Sequence, residues 1–285
     1  MRKILFISNG YGEDYVAVNV AKEMKKLAPD LEIYGMPIVG EGSLYTRNHI
    51  PLMGPHKKLP SEGFLTNLKI FMRDLKAGII NLHYQQWRSL KKWSMIGDYI
   101  ISVGDIVPLF YAVFSKKPFF FISIQKSVYY VIDDENIDNL NYKNLRNLAM
   151  KTYLGEYFFL RNPRLIKIFP RDLITHNILK KLGINSEYLG NPMMDGLEPT
   201  NKLKIEEFKK FRKILILPGS RTPESYNNFA ILLRGVLALI NSGIQENFLF
   251  LTALSTNIDK EKIEKILEQK DFDKLENKED YLIFK

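Results

Sequence analysis

Short apolar runs alternate with longer amphipathic stretches along the whole chain. Residues 3–8 (KILFIS), 31–37, 98–103 (DYIISV), 118–124 (PFFFISI) and 165–169 are dense in β-branched and aromatic residues. Such uninterrupted runs predict strands buried on both faces. Residues 157–160 and 187–189 read as further short strands. Helical spacing fills the gaps, over 15–27, 64–93 (one or two helices), a stretch starting near Pro108, and 171–182. The alternation predicts an α/β fold with a parallel sheet and helices on both faces. The same pattern starts afresh at Lys213, with strands expected over 213–218, 247–251 and 280–284 and helices over 229–240 and 259–269. The reading is two Rossmann-like units: 1–197, then a linker over 198–212, then an incomplete unit over 213–285.

The second start carries the most chemistry. KILILP runs into Gly219, Ser220 and Arg221, and a helix follows. A loop at the carboxyl end of a strand offers backbone N–H groups and the positive end of a helix dipole. Glycine lets the backbone approach a ligand, serine adds a hydroxyl, and arginine grips phosphate in two places. An ordinary strand-to-helix turn with a surface arginine gives the same string.

LPGSR followed by Glu224 resembles the signature of the lipid-A-disaccharide synthase family. The string SNGYGED (8–14), then IVGEGSLY, IPLMGP and PSEGF in that order, resembles a related branch known mainly from cyanobacteria. The resemblance implies a two-domain GT-B glycosyltransferase, inverting and metal-independent, that uses no cofactor. Its partners would be a UDP-sugar donor and an acylated sugar or glycolipid acceptor. The nucleotide sugar would meet Gly219, Ser220, Arg221 and Glu224, with Asn191 in a Gly-Asn-Pro element at the interdomain crossing. Asn9, Gly10, Gly12, Glu13 and Asp14 would form the acceptor loop. Asp105, just past a buried strand, would be the catalytic base. Local structure offers plainer roles: Glu13 and Asp14 suit a helix dipole, Asp105 suits a helix N-cap, and Gly-Asn-Pro suits a turn.

Charge adds a second expectation. The net charge is +9, with most of the excess in residues 1–200. Residues 64–93 hold six basic side chains, one acid and both tryptophans of the chain. That composition fits an interfacial helix on an anionic membrane. It fits equally an amphipathic helix packed on the sheet with solvated lysines. No nucleic-acid-binding signature accompanies the charge, so nucleic acid is not expected as a partner. Cysteine is absent, which excludes disulfides and thiolate chemistry. The four histidines show no metal-ligand spacing. The N-terminal apolar run is too short for a signal peptide, and no stretch approaches the ~20 apolar residues of a membrane span. A cytoplasmic protein, free or peripheral on the inner membrane, is the expectation.

Residues 213–285 fall short of a nucleotide-sugar-binding domain, and the family's later Ser-Gly-Thr loop has no counterpart. The resemblance therefore leaves three readings: a fragment, a chain needing a partner, or a form without activity. A silent glycolipid- or protein-binding module and an enzyme like the UDP-sugar epimerases stand beside the transferase.

Overall fold

The computed structural model describes residues 1–61, 68–132, 141–198, 208–219, 222–244, 247–254, 258–270, 272, 274–277 and 281–284. They form two compact units, Met1–Leu197 and Glu198–Lys285. In the first, the strands are β1 (Lys3–Ser8), β2 (Glu32–Pro37), β3 (Tyr99–Val103), β4 (Phe119–Ser123) and β5 (Leu165–Pro170). The helices are α1 (Tyr11–Leu27), α2 (Ser43–Arg47), α3 (Leu68–Lys76), α4 (Ile79–Trp93), α5 (Ile106–Phe114), α6 (Tyr142–Thr152) and α7 (Leu173–Lys181).

The five strands are all parallel, in the order β2-β1-β3-β4-β5. Side chains alternate across the sheet as the pleat requires. Leu5, Ile7, Phe119 and Phe121 face the layer of α4 to α7, and Ile4, Phe6, Ile101 and Ile122 face α1 and α2. Both faces are covered, which explains why these strands read as apolar without a break.

Stretch 64–93 contains the two helices α3 and α4; residues 62–67 lie outside the described residues. Helix α4 packs on the sheet through Leu82, Gln86, Leu90 and Trp93. Gln86 Nε2 donates to the carbonyls of Ile38 (2.8 Å) and Pro55 (3.1 Å), tying the helix to the loop after β2. Trp93 is only 1% exposed. A Cβ added to Gly97 would lie 2.2 Å from its ring, so the tryptophan is a core residue and not part of an interfacial face.

Three expectations are corrected. Residues 157–160 are not a strand: Tyr157 N–H donates to Tyr153 O and Leu160 N–H to Glu156 O, and a 3-10 turn spans Phe159–Arg161. Buried Tyr153, Tyr157 and Leu160 follow helical spacing, which the adjacent Phe158 and Phe159 hide in the sequence. Residues 187–189 make no strand; the chain meets the β5 edge at the bridge Ile168–Ser186 and leaves with Leu189 exposed. Helix α5 starts at Ile106, not near Pro108, because Asp105 caps it and proline is tolerated in a first turn.

The second unit contains β6 (Arg212–Ile216), α8 (Glu224–Ile240), β7 (Phe248–Ala253), α9 (Lys260–Glu268), β8 (Lys274–Asn277) and β9 (Tyr281–Phe284). Its sheet runs β6-β7-β9-β8. Strands β6 and β7 are parallel, but β9 lies antiparallel to β7 and β8 antiparallel to β9. Three strands were expected here. The polar sequence KLEN of β8 carries no strand signal, and an antiparallel β8–β9 pairing needs no crossover helix. Helices α8 and α9 bury Phe229, Leu233, Ile263 and Leu267 against Ile216 and Phe250. The charged run expected between the units falls largely outside the described residues.

Candidate functional site

In the first sheet the chain goes from β1 outward to β2, then returns to the other side of β1 as β3. Between β1 and β3 the loops leave in opposite directions and open a crevice at the carboxyl edge, where α/β sheets bind ligands. Two of the sequence candidates sit there and touch. Asn9 follows β1, Asp105 follows β3, and Asn9 Nδ2 donates to Asp105 Oδ2 at 3.1 Å. The other carboxylate oxygen of Asp105 accepts from Val107 N at 2.9 Å, closing the first turn of α5. The helix-capping role is therefore real. Burial raises the pKa of Asp105 above the ordinary carboxylate value, while the Val107 amide, Asn9 and the Lys126 ammonium pull it back. Asn9 is 5% exposed, and its Oδ1 has no hydrogen-bond partner among the described residues.

Helix α1 starts four residues earlier than the pattern suggested, at Tyr11, so Gly12, Glu13 and Asp14 lie in its first turn. Gly10 breaks the strand from the helix at φ 122°, in the region that favours glycine. Glu13 accepts from Gln125, which follows β4, and packs against Gly104 so closely that a Cβ there would sit 2.6 Å from Glu13 Cγ. Gly104 has φ +118°, so backbone and packing both select glycine. Asp14 turns inward. Ser8 Oγ donates to Asp14 Oδ1 at 2.6 Å and meets the buried Tyr45 hydroxyl at 2.6 Å. Burial pushes the Asp14 carboxyl up to about 7, with the Ser8 hydroxyl opposing and Glu13 adding to the rise.

Sequence reasoning missed the groups supplied by β4 and its neighbours. Lys126 lies 3.0 Å from the fully buried Glu156, whose carboxyl burial pushes up to about 7. The Lys126 ammonium opposes that rise and the Asp105 charge adds to it. Arg171, just past β5, donates to Ile124 O (3.3 Å) and to the Tyr130 hydroxyl (2.8 Å). A lysine two residues beyond a strand end was the one available signal.

Asn191 caps a short turn, accepting from Met193 N at 3.1 Å. That turn packs on α1: Met193 joins the cluster around Val16, and Tyr15 OH donates to Asp195 O at 3.2 Å.

In the second unit Gly219 has φ +95°, and Asn228 Nδ2 donates to Pro218 O at 3.1 Å, tying the loop to α8. Glu224 is the exposed first residue of α8. Ser220 and Arg221 lie outside the described residues. No group of three or more metal-ligating side chains occurs among the described residues.

The chain is thus an α/β protein with a doubly wound parallel sheet, a polar crevice at its switch point, and a second, smaller α/β unit. No protein-family model matches it, and no curated protein is similar to it in sequence at a significant level. Among solved structures it is similar to the calicheamicin glycosyltransferase CalG4, at 11% identity and a TM-score of 0.48, over 91% of this chain and 67% of that one. It is also similar to UGT71G1 of Medicago truncatula, complexed with UDP-glucose, at 15% identity and a TM-score of 0.47, over 94% and 69%. MurG of Acinetobacter baumannii matches at 11% identity and a TM-score of 0.34, over 94% and 90%.

Proposed function

We propose that the chain serves a GT-B-type glycosyltransferase reaction, in which an acylated amino sugar passes from a UDP-sugar to a glycolipid acceptor at a membrane surface, with inversion and without a metal ion. The observation that carries this reading is the Asn9–Asp105 pair at the switch point. Acceptor binding and proton removal are assigned to the first unit, residues 1–197. Donor diphosphate binding is assigned to the second, beginning at Lys213.

Asp105 is the base. Its two oxygens are fixed by Val107 N–H and Asn9 Nδ2, and each keeps a lone pair for an acceptor hydroxyl. A carboxylate made more basic by burial takes a sugar hydroxyl proton as the oxygen attacks the anomeric carbon. The C–O bond to UDP breaks and the diphosphate leaves with the electron pair. Gly219, Ser220 and Arg221 hold that leaving group, with the loop amides donating to its oxygens. Glu224 is assigned to the donor sugar. Asn9, Gly10, Gly12 and Glu13 line the acceptor side, Asp14 supports that loop from beneath through Ser8, and Asn191 holds the turn that braces α1.

The test is transfer of labelled sugar from an acylated UDP-sugar to a glycolipid acceptor by the wild-type protein and by Asp105→Asn. Asparagine caps helices as well as aspartate, so the fold is retained. Turnover should fall by about 10²–10⁴-fold with acceptor binding kept. Equal turnover would remove Asp105 from the reaction.

A further inference from the structure

The carboxyl edge of the first sheet carries a charged pair that the proposed proton transfer does not use. Asp105 leaves β3, and Lys126 follows β4, the next strand in the sheet. Gly104 N–H still donates to Ile122 O at 3.0 Å, so Asp105 stands one residue beyond the last ladder bond, beside the exit of β4. Two contacts bring Glu156 to the same edge. The hydroxyls of Tyr153 and of Ser123, the last residue of β4, lie 3.2 Å apart. A Cβ on Gly155, which holds φ +80°, would lie 3.1 Å from Cδ1 of Ile106, the residue after Asp105. Glycine at 155 thus lets the segment close on the start of α5.

Glu156 is fully buried, and Lys126 Nζ lies 3.0 Å from its Oε2. Among the described residues neither carboxylate oxygen finds a further hydrogen-bond partner. The Lys126 side chain is 28% exposed and borders solvent. Such a pair is a poor device for stability, because the cost of desolvating two charges rivals their attraction. Its place explains it better. A free lysine on its flexible stem turns into water, where its charge is screened. Paired with Glu156, the ammonium stays where it acts on Asp105. Burial pushes the Asp105 carboxyl up, and beside the Val107 and Asn9 hydrogen bonds Lys126 is the one cation that opposes it among the described residues. The Asp105 charge in turn adds to the rise that burial gives Glu156, so the cluster titrates as a unit. The neighbouring charges are engaged otherwise. Glu13 of α1 accepts from Gln125, Asp14 from Ser8, and Asp172 from Thr175 N, while Arg171 donates to Ile124 O and the Tyr130 hydroxyl.

We propose that Lys126 is a positioning residue for Asp105: Glu156 fixes its ammonium at the exit of β4, and that charge keeps Asp105 a carboxylate able to take the acceptor proton. Lys126 has this role only if Asp105 is the base assigned above. A buried base that must be ionised at neutral pH needs an opposite charge nearby. Asn9 supplies a hydrogen bond but no charge.

The test follows the Asp105 carboxyl by carbon-13 NMR through a pH titration of the whole chain, its signal assigned by its loss in Asp105→Asn. Lys126→Met should raise the Asp105 midpoint by about one pH unit or more. Lys126→Arg, which keeps the charge, should restore it. Glu156→Gln frees the ammonium and should move the midpoint up by less. Lys126→Met leaves Glu156 buried without a counter-charge and weakens the fold. Lys126→Met with Glu156→Gln relieves that, and its midpoint should rise as in the single variant. A pair that serves only the fold leaves the double variant at the wild-type midpoint, and that result would overturn the proposal. So would a rise in Lys126→Arg equal to that in Lys126→Met, or a fall in Glu156→Gln, the sign of direct repulsion between the two carboxyls. In transfer assays the acid limb of the kcat/KM profile should move up in pH with the NMR midpoint. The two readings fail differently. An unmoved midpoint with transfer intact removes Lys126 alone, whereas absence of transfer in a chain whose midpoint moves removes the glycosyltransferase reading and upholds the Lys126–Asp105 coupling.

Discussion

Strands β1 and β6 begin almost alike, KILFIS against RKILI, and end in the same kind of glycine loop. Their surroundings differ. β1 pairs with β2 on one side and β3 on the other, and Leu5, Phe6 and Ile7 are fully buried. β6 pairs with β7 alone among the described residues. Leu215 and, just past its end, Leu217 are 62% and 63% exposed. An apolar run thus announces a strand but not its place in a sheet. A central strand and an edge strand covered on one face share a sequence pattern and differ in energy.

Substitution turns that contrast into a number. Phe6→Ala should destabilise the first unit by about 3–5 kcal/mol, the cost of an emptied aromatic site in a packed core. Leu215→Ala should cost the second unit less than about 1 kcal/mol, since most of the side chain already meets water. Urea unfolding followed by residue-specific signals in each unit reads both. Equal costs would mean that β6 is covered like β1.

The buried carboxyl under the β1–α1 loop gives the next largest effect. Asp14 has a folded-state pKa raised to about 7 from an ordinary value of 3.8. A raised carboxyl pKa means that its stabilising protonated form is fully present below pH ~4 and lost as pH rises through ~7. Asp14→Asn keeps an acceptor for Ser8 and cannot ionise. It should remove part of the fall in stability between pH 4 and 8, on the order of 2–4 kcal/mol at the upper end. A variant whose pH–stability curve overlays the wild type would show that Asp14 is not held in this way.

The two glycine loops separate more narrowly. Gly104→Ala forces an L-residue to φ +118° and drives a methyl against Glu13, costing about 2–3 kcal/mol. Among the described residues Gly219→Ala meets only Asn228 Nδ2, at 3.9 Å, so backbone strain should dominate, at about 1–2 kcal/mol. Thermal unfolding of the two variants ranks them. The smallest effect is the cap: Asp105→Ala should lose about 1 kcal/mol that Asp105→Asn retains.

The fold was legible where burial leaves a plain pattern. All five strands of the first sheet stood out because both faces are covered. The Asn9–Asp105 pair was half legible, since each residue follows a strand end, but their contact depends on the strand order. The direction of β9 was not legible, because four apolar residues look the same either way. Lys126 and Glu156 escaped for a different reason. In sequence they are an isolated lysine and a glutamate in a tyrosine-rich turn, and only folding buries the one beside the other. Asp14 shows the converse, a loop acid by sequence that the first turn of α1 rotates away from solvent toward Ser8.

The central claim is that the crevice between β1 and β3 takes the acceptor. The direct measurement is amide-shift mapping during titration with a water-soluble, deacylated acceptor sugar phosphate. The account predicts the largest changes at Asn9, Gly10, Gly104 and Asp105, with Gln125 and Lys126 next, and their loss in Asn9→Ala. Saturable changes that leave those amides still, or that fall only in residues 213–285, would contradict it.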